Sequence, residues 1–515
     1  MRISRLLVAA LMVAVFVVGV RWGTFAVGGS DSSCYVIQAR NWARFQLQEP
    51  QPLALAAPWP GALASFAVTG HVASPTVRGA MVPICASGLS MLMALVSRLG
   101  DGTALFLVVP LFGAVLIGAV YALGERVSSH VGLAAAVLTA MSPVFLFQLV
   151  QPMSDVPAAA LWCTAAALMS STWRRSALTA GLVTSLAILV RPNLLPLGIA
   201  MGVLSLAGPS GTIRSRVKAA VAYAVGSVPG CLAVGLINQY FYGSPLSSGY
   251  GSAQGLFALV NVGPNFRHYF TWTWDTTTPV FLLGFLAPLI RRGWLTCSCA
   301  ALVLVNLACY LPYVVFEEWS YLRFLLPTLP LVLLLAVITL DLLFGRVVQI
   351  GRRMAEPMQR MAALGLLAVT TLVLTAGMAR TAVERHVFAL ATLESRFVRA
   401  GRAVADRLPR NAAVVTAMES GSVTYYSGRL TVAWDQIDPD SLDSALAYLR
   451  DRDREPYLLF ERGEEPGFRR RFQRSDLGRL DWPPAIEIGG QVRVYRPGDR
   501  ARYFSGTSIK TDYVR

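Results

Sequence analysis

The sequence predicts an all-α polytopic membrane domain of about eleven transmembrane helices, followed by a small α/β extracytoplasmic domain. Three observations lead there. Of the 515 residues, 55% are hydrophobic and only 14% charged, against about 25% charged in a soluble domain. From Met1 to Met378, apolar segments alternate with short loops, and every second loop carries basic residues. From Thr381 onward, charge becomes frequent and apolar runs become short.

A helix crossing about 30 Å of hydrocarbon needs roughly 20 residues, fewer where the bilayer thins. The predicted spans are 6–22, 103–123, 131–150, 157–171, 177–190, 193–208, 218–238, 278–290, 294–315, 324–344 and 361–378. The basic residues are Arg2 and Arg5; Arg126; Arg174 and Arg175; Arg214, Arg216 and Lys218; Arg291 and Arg292; and Arg346, Arg352, Arg353 and Arg360. Cytoplasmic loops retain Lys and Arg. The N-terminus is therefore cytoplasmic, and residue 379 emerges outside. Leu6 to Val20 has the look of a signal peptide, but many spans follow and no small-residue cleavage site stands after it, so it is read as the first span.

Charge also settles the segment Ala80 to Arg98. If it spanned, the loops at Arg174, Arg214 and Arg291 would face outward, so it is placed along the outer interface, or as a re-entrant piece, in a first outer loop from Val27 to Gly102. Pro83 and Gly88 weaken it further as a span. Residues 177–208 become two spans hinged at Arg191-Pro192-Asn193. The membrane domain is 1–378, outer loop 27–102 included, and the extracytoplasmic domain is 379–515.

In that last domain Phe397, Ala400, Val404 and Leu408 share one face of a helix over Leu393 to Leu408. Strands are predicted at Ala412 to Ala417, at Val432-Ala433-Trp434, at Pro456 to Phe460 and at Gln491 to Tyr495, with helices starting near Val423 and over Ser441 to Leu449. No glycine fingerprint for a nucleotide is present.

The composition excludes several functions. A net charge of +16 would suggest nucleic acid in a soluble protein; here retention and anionic headgroups explain much of it, and no nucleic-acid partner is expected. The seven cysteines, most of them in apolar segments, form no CxxC motif, and only four histidines occur. Neither a zinc site nor a disulfide framework is expected, nor any metal or cofactor.

The chemistry-bearing residues sit at the outer ends of spans. Asp31, in Gly28-Gly29-Ser30-Asp31-Ser32-Ser33-Cys34-Tyr35, opens a helix along which Tyr35, Ala39 and Trp42 share a face. Asp31 or Ser30 is a helix cap, or Asp31 is a general base meeting a membrane-bound substrate. Asp155, in Gln151-Pro152-Met153-Ser154-Asp155-Val156-Pro157, is an N-cap ahead of Pro157 or a second outer-face carboxylate. Retention does not explain Arg191 or Arg323, the latter in Tyr321-Leu322-Arg323-Phe324-Leu325-Leu326-Pro327. Each snorkels to the interface or pairs with a carboxylate such as Glu317 or Glu318, or holds a phosphate through its planar fork. Asp275 and His268, among interfacial aromatics, are weaker candidates.

Together Asp31 with Tyr35, Ser154-Asp155-Val156-Pro157, Arg191-Pro192-Asn193 and Tyr321 to Pro327 resemble the GT-C class of membrane glycosyltransferases. The resemblance is to the bacterial branch similar to protein O-mannosyltransferases and aminoarabinose transferases (glycosyltransferase family 39). It implies an enzyme of the bacterial inner membrane that transfers a hexose or pentose, with inversion, from a polyprenyl-phosphate donor to an acceptor hydroxyl on a lipid, glycan or protein outside the cytoplasm. It implies Asp31 as the base, Arg323 as the holder of the departing phosphate, and Asp155 as shaping the acceptor side, with Arg191 and Tyr35 as further substrate-binding residues. The family often shows Asp-Glu at the first-loop site, whereas Ser32 follows Asp31 here. The alternative is a transporter or lipid flippase, which needs charges near the bilayer midplane and usually internal repeats; no such repeat is present.

Overall fold

The computed structural model describes residues 2–100, 102–171, 175–208, 212–251, 253–350 and 355–514; Arg174, Arg352 and Arg353 lie outside the described residues. The chain divides into two compact units. The first is Met1–Gly23, Phe106–Leu236 and Ser252–Leu390, and the second is Thr24–Leu105, Ile237–Gly251 and Ala391–Arg515. This grouping differs from the expected one, because the first outer loop joins the C-terminal residues instead of the apolar helices.

The first unit is helical. Among the described residues five helices are long and apolar enough to cross a membrane: Ile3–Arg21, Ala104–Glu125, Ile213–Tyr242, Leu329–Gln349 and Glu356–Glu384. A sixth forms if Ser129–Met141 and Pro143–Leu149, bent by 62°, count as one broken span. Pro143 causes that break, since its ring lacks an N–H and forces Ser142 into extended backbone (φ −60°, ψ 125°). The predicted spans 157–171, 177–190, 193–208, 278–290 and 294–315 appear as the shorter helices Asp155–Met169, Ser176–Val190, Pro192–Leu206, Pro279–Ile290 and Trp294–Tyr310. Small residues let two of these helices approach closely. A Cβ on Gly181 would lie 2.2 Å from the Tyr223 carbonyl oxygen, so backbone meets backbone there.

The second unit is built on two sheets. In the smaller, β1 (Glu49–Pro50), β3 (Ala80–Pro83) and β2 (His71–Ala73) lie antiparallel in the order β1-β3-β2. Ala80 to Arg98 is therefore strand β3 followed by a 13-residue helix, Ser87–Leu99, and it belongs to the second unit and not to the apolar helices of the first. The larger sheet comprises β4 (Ala412–Val415), β5 (Leu430–Val432), β6 (Glu455–Glu461), β7 (Ile486–Ile488), β8 (Val492–Tyr495) and β9 (Asp512–Val514). Its order is β5-β4-β6-β8-β7-β9. Strand β4 runs parallel to β5 and β6, β8 is antiparallel to β6 and β7, and β9 is parallel to β7.

Side chains alternate across this sheet with the period of two that strands impose. Ala413, Val415, Leu458 and Phe460 face one core, shared with Leu446 and Leu449 of the Leu442–Asp451 helix and with Trp59 and Phe66 of the first outer loop. Ala412, Val414, Tyr457 and Leu459 face the other, against Ala400, Ala403 and Val404 of the Leu390–Arg407 helix. The predicted amphipathic face is the buried face of that helix.

One expectation fails here. Cys34 and Cys85 form a disulfide, although the cysteine pattern suggested no such framework. It ties the Gly29–Arg44 helix to the segment just after β3. The remaining cysteines, Cys163, Cys231, Cys297, Cys299 and Cys309, are free thiols. Replacing Cys34 and Cys85 with serine is expected to lower stability by roughly 2–5 kcal/mol, read as a lower melting temperature. Alkylation of the denatured, unreduced protein should modify the five free thiols and spare Cys34 and Cys85; modification of all seven would remove the bridge.

Candidate functional site

In the first unit, Asp155–Met169 and Ser176–Val190 are consecutive helices with a short connection. Their antiparallel run returns the chain to its starting end, so Asp155, the first residue of one helix, meets Arg191, the C-cap of the next. The two side chains form a short ion pair in which Asp155 is 2% and Arg191 12% exposed. Ser154, not Asp155, is the N-cap. Asp155 instead sits in the first turn, where the positive end of the helix dipole favours a carboxylate. Pro157 fits the same turn because a first-turn N–H has no intrahelical partner.

Aromatic rings surround the pair. The Arg191 guanidinium lies 5.8 Å from the Tyr310 ring centre and 5.6 Å from that of Phe324. The two rings stack 4.9 Å apart at 4°. Asn193 Nδ2 donates to the Tyr310 hydroxyl at 2.8 Å, which fixes the ring from the hinge side. Arg323, in the 3-10 stretch Trp319–Leu325, lies 5.5 Å from the same Phe324 ring and 5.0 Å from Tyr321. One phenyl ring therefore serves two guanidinium groups, an arrangement that the ring quadrupole favours. Asn306 holds this stretch by donating to the Phe324 carbonyl at 3.3 Å and to Thr328 Oγ1 at 3.0 Å. Beside it lies a cavity of about 270 Å³ with an almost wholly apolar lining that includes Phe266, Phe270, Phe281, Leu325 and Leu329.

The weaker candidates are placed as well. His268 Nδ1 is 3.0 Å from the Phe316 carbonyl oxygen, its ring stacks 4.9 Å from Trp272, and Glu317 lies 3.7 Å from its Nε2. Asp275 pairs with Arg385 at 3.7 Å. Asp155, Arg191 and Arg323 thus share one aromatic cluster, while Asp275 is paired elsewhere in the unit.

Asp31 and Tyr35 belong to the second unit. The N-cap of the Gly29–Arg44 helix is Gly28, with no side-chain cap bond, so the cap reading of Asp31 and Ser30 is corrected: Asp31 is in the first turn. It is partly exposed, while Tyr35 is buried and its carbonyl accepts from Ser90 Oγ at 2.9 Å.

Sequence reasoning missed two buried titratable groups in this unit. Burial pushes the His71 imidazole down to about 4, with Arg40 adding to the effect. Burial pushes the Glu419 carboxyl up to about 8, with Glu461 and Glu464 adding to the rise and Ser422 and Arg396 opposing it. Ser422 Oγ donates to Glu419 Oε2 at 2.5 Å. Among the described residues, no group of three or more His, Cys, Asp or Glu side chains is gathered to hold a metal ion.

These helices and the appended α/β unit define a class: a multi-pass membrane protein with the GT-C glycosyltransferase fold. The dolichyl-phosphate-mannose-protein mannosyltransferase family matches residues 83–234, a stretch that contains Asp155 and Arg191. ArnT from Cupriavidus metallidurans in the apo state is 14% identical, with 95% of this chain and 97% of that one covered at a TM-score of 0.57. The same protein bound to undecaprenyl phosphate gives 13%, 90%, 94% and 0.55 in the same order. The Archaeoglobus fulgidus oligosaccharyltransferase tethered to an acceptor peptide is 12% identical, with 89% of this chain and 69% of that one covered at 0.53. No curated protein sequence matches the chain.

Glu419 makes stability depend on pH. Its proton is held up to about pH 8 in the folded unit and released near 4.5 ordinarily. Between those values the folded state binds the extra proton, so stability falls as pH rises through that window. Buried His71 acts in the opposite sense below about 6.5, where the unfolded chain binds the extra proton, so the melting temperature of the wild type should drop chiefly from about pH 6.5 to about pH 8. Glu419→Gln keeps the neutral shape and should flatten that drop; an equally steep fall in the variant would clear Glu419 of the effect.

Proposed function

We propose that this chain is an integral membrane glycosyltransferase that moves a sugar from a polyprenyl-phosphate donor to an acceptor hydroxyl on the extracytoplasmic face, with inversion. The observation that carries the reading is the pair of arginines, Arg191 and Arg323, on the Phe324 ring beside an apolar cavity. A lipid phosphate needs both parts: a planar cationic fork for the head and an apolar wall for the isoprenoid. The fold shared with ArnT, a protein solved with undecaprenyl phosphate, points the same way.

In this reading eleven helices cross a bacterial inner membrane, the N-terminus is cytoplasmic, and the second unit stands outside. The Cys34–Cys85 bridge supports that side, since disulfides persist in oxidising compartments. Asp31 takes the proton from the acceptor hydroxyl. The oxygen attacks the anomeric carbon as the bond to the donor phosphate breaks on the opposite face. The electron pair leaves with the polyprenyl phosphate, and Arg323 stabilises its charge. Asp155, held by Arg191, shapes the acceptor side, and Arg191 and Tyr35 are further substrate-binding residues. The acceptor is a lipid, glycan or protein hydroxyl.

The test is transfer from a radiolabelled polyprenyl-phosphate sugar by purified protein in lipid nanodiscs. Asp31→Asn should fold and lose about 10²- to 10⁴-fold in rate. Arg323→Lys should raise the donor KM, because a point charge replaces a fork. Full activity in Asp31→Asn would refute the base. A labelled lipid that crosses the bilayer with its sugar still attached would indicate a flippase.

A further inference from the structure

The amino end of a helix ordinarily frays, since its first turn lacks backbone partners. The turn that carries Asp31 is different. A Cβ on Gly28 would fall 2.0 Å from Phe397 Cδ2, so the N-cap lies against that ring. The Val27 N–H donates to the Tyr426 hydroxyl at 3.0 Å. Gly70, at φ +80°, lies against the Ser30 carbonyl oxygen, 2.4 Å from where its Cβ would be. Gly421 lies against Ser33, with Oγ 2.3 Å and Cβ 2.7 Å from the place of its own missing Cβ. Cys34 is tied to Cys85. Residues 27, 28, 30, 33 and 34 are thus all held, on both sides of Asp31.

Two of these holds come from one short helix, Ser420–Ser427, which starts at the carboxyl end of β4. Its first residue also fixes the neighbouring loop, as the Thr69 N–H donates to Ser420 Oγ at 2.9 Å. Strand β4 lies between two parallel strands, so the helix start is set by the sheet. In open α/β sheets this position outside a strand's carboxyl end commonly receives a ligand. Here the chain's own Asp31 turn and the 69–70 loop lie against it.

We infer that Gly421 is a positioning residue for Asp31, acting through Ser33, and that the C-terminal sheet serves to aim the proposed base. This rests on the role given to Asp31 above. A side chain at position 421 displaces the first turn of the Gly29–Arg44 helix, and a shift of about 1 Å at a reacting group can cost roughly 10²-fold in rate. Removing the side chain of Ser33 restores the space.

The test compares Gly421→Ala, Ser33→Gly and the combined variant in the nanodisc transfer assay, with kcat and donor KM measured separately. Gly421→Ala should lose about tenfold or more in kcat at unchanged donor KM, and the combined variant should regain most of it. A purely structural role would instead lower the amount of folded protein and leave kcat per folded molecule unchanged. If Gly421→Ala does not fold, Tyr426→Phe, which removes only the bond to Val27, decides: reduced kcat supports the inference, and wild-type kcat overturns it. Full activity in Asp31→Asn overturns both the base and this inference. An inactive Asp31→Asn beside a fully active Gly421→Ala overturns the positioning alone.

Discussion

The first unit is organised by one electrostatic constraint: a charge in an apolar interior needs a partner. Asp155 and Arg191 are nearly inaccessible, and each satisfies the other. A lone buried ion costs several kcal/mol, so the pair fixes how the Asp155–Met169 and Ser176–Val190 helices end relative to one another. Fixing Arg191 places a guanidinium against Tyr310 and Phe324, and Phe324 in turn carries Arg323. The aromatic cluster and its two arginines follow from that single ion pair.

The second unit depends on backbone contact. Glycines at 28, 70 and 421 let chain segments far apart in sequence approach closer than any side chain allows. The disulfide adds a covalent limit at Cys34. Order in the Asp31 turn thus comes from its neighbours, not from its own helix, which begins at a glycine with no side-chain cap. The end of the sheet where open α/β folds commonly receive a ligand meets the chain's own turn here.

Much of this was legible in the sequence. Apolar runs marked the helices of the first unit, because lipid-facing and buried segments share one composition. Short apolar runs marked β4, β6 and β8, because strands whose two faces both meet a core read as nearly continuous apolar stretches. Strands β7 and β9 escaped, since three-residue strands carry too little pattern to stand out. The Asp155–Arg191 pair has a readable cue, as two helices with a short connection bring the start of one beside the end of the next. The Cys34–Cys85 bridge and the contact of Gly421 with Ser33 had none, because each joins positions whose proximity only the fold creates. The grouping of residues 24–105 with 391–515 was hidden for the same reason.

The buried Asp155–Arg191 pair anchors the candidate site, and a double-mutant cycle in detergent tests this most directly. Asp155→Asn and Arg191→Gln, each alone, leave an uncompensated buried charge and should each destabilise by about 3–5 kcal/mol. Asp155→Asn with Arg191→Gln together leaves no charge, so the double variant should be more stable than either single one, with a large coupling energy. Losses that simply add would show that the two side chains do not depend on each other, and would contradict the account.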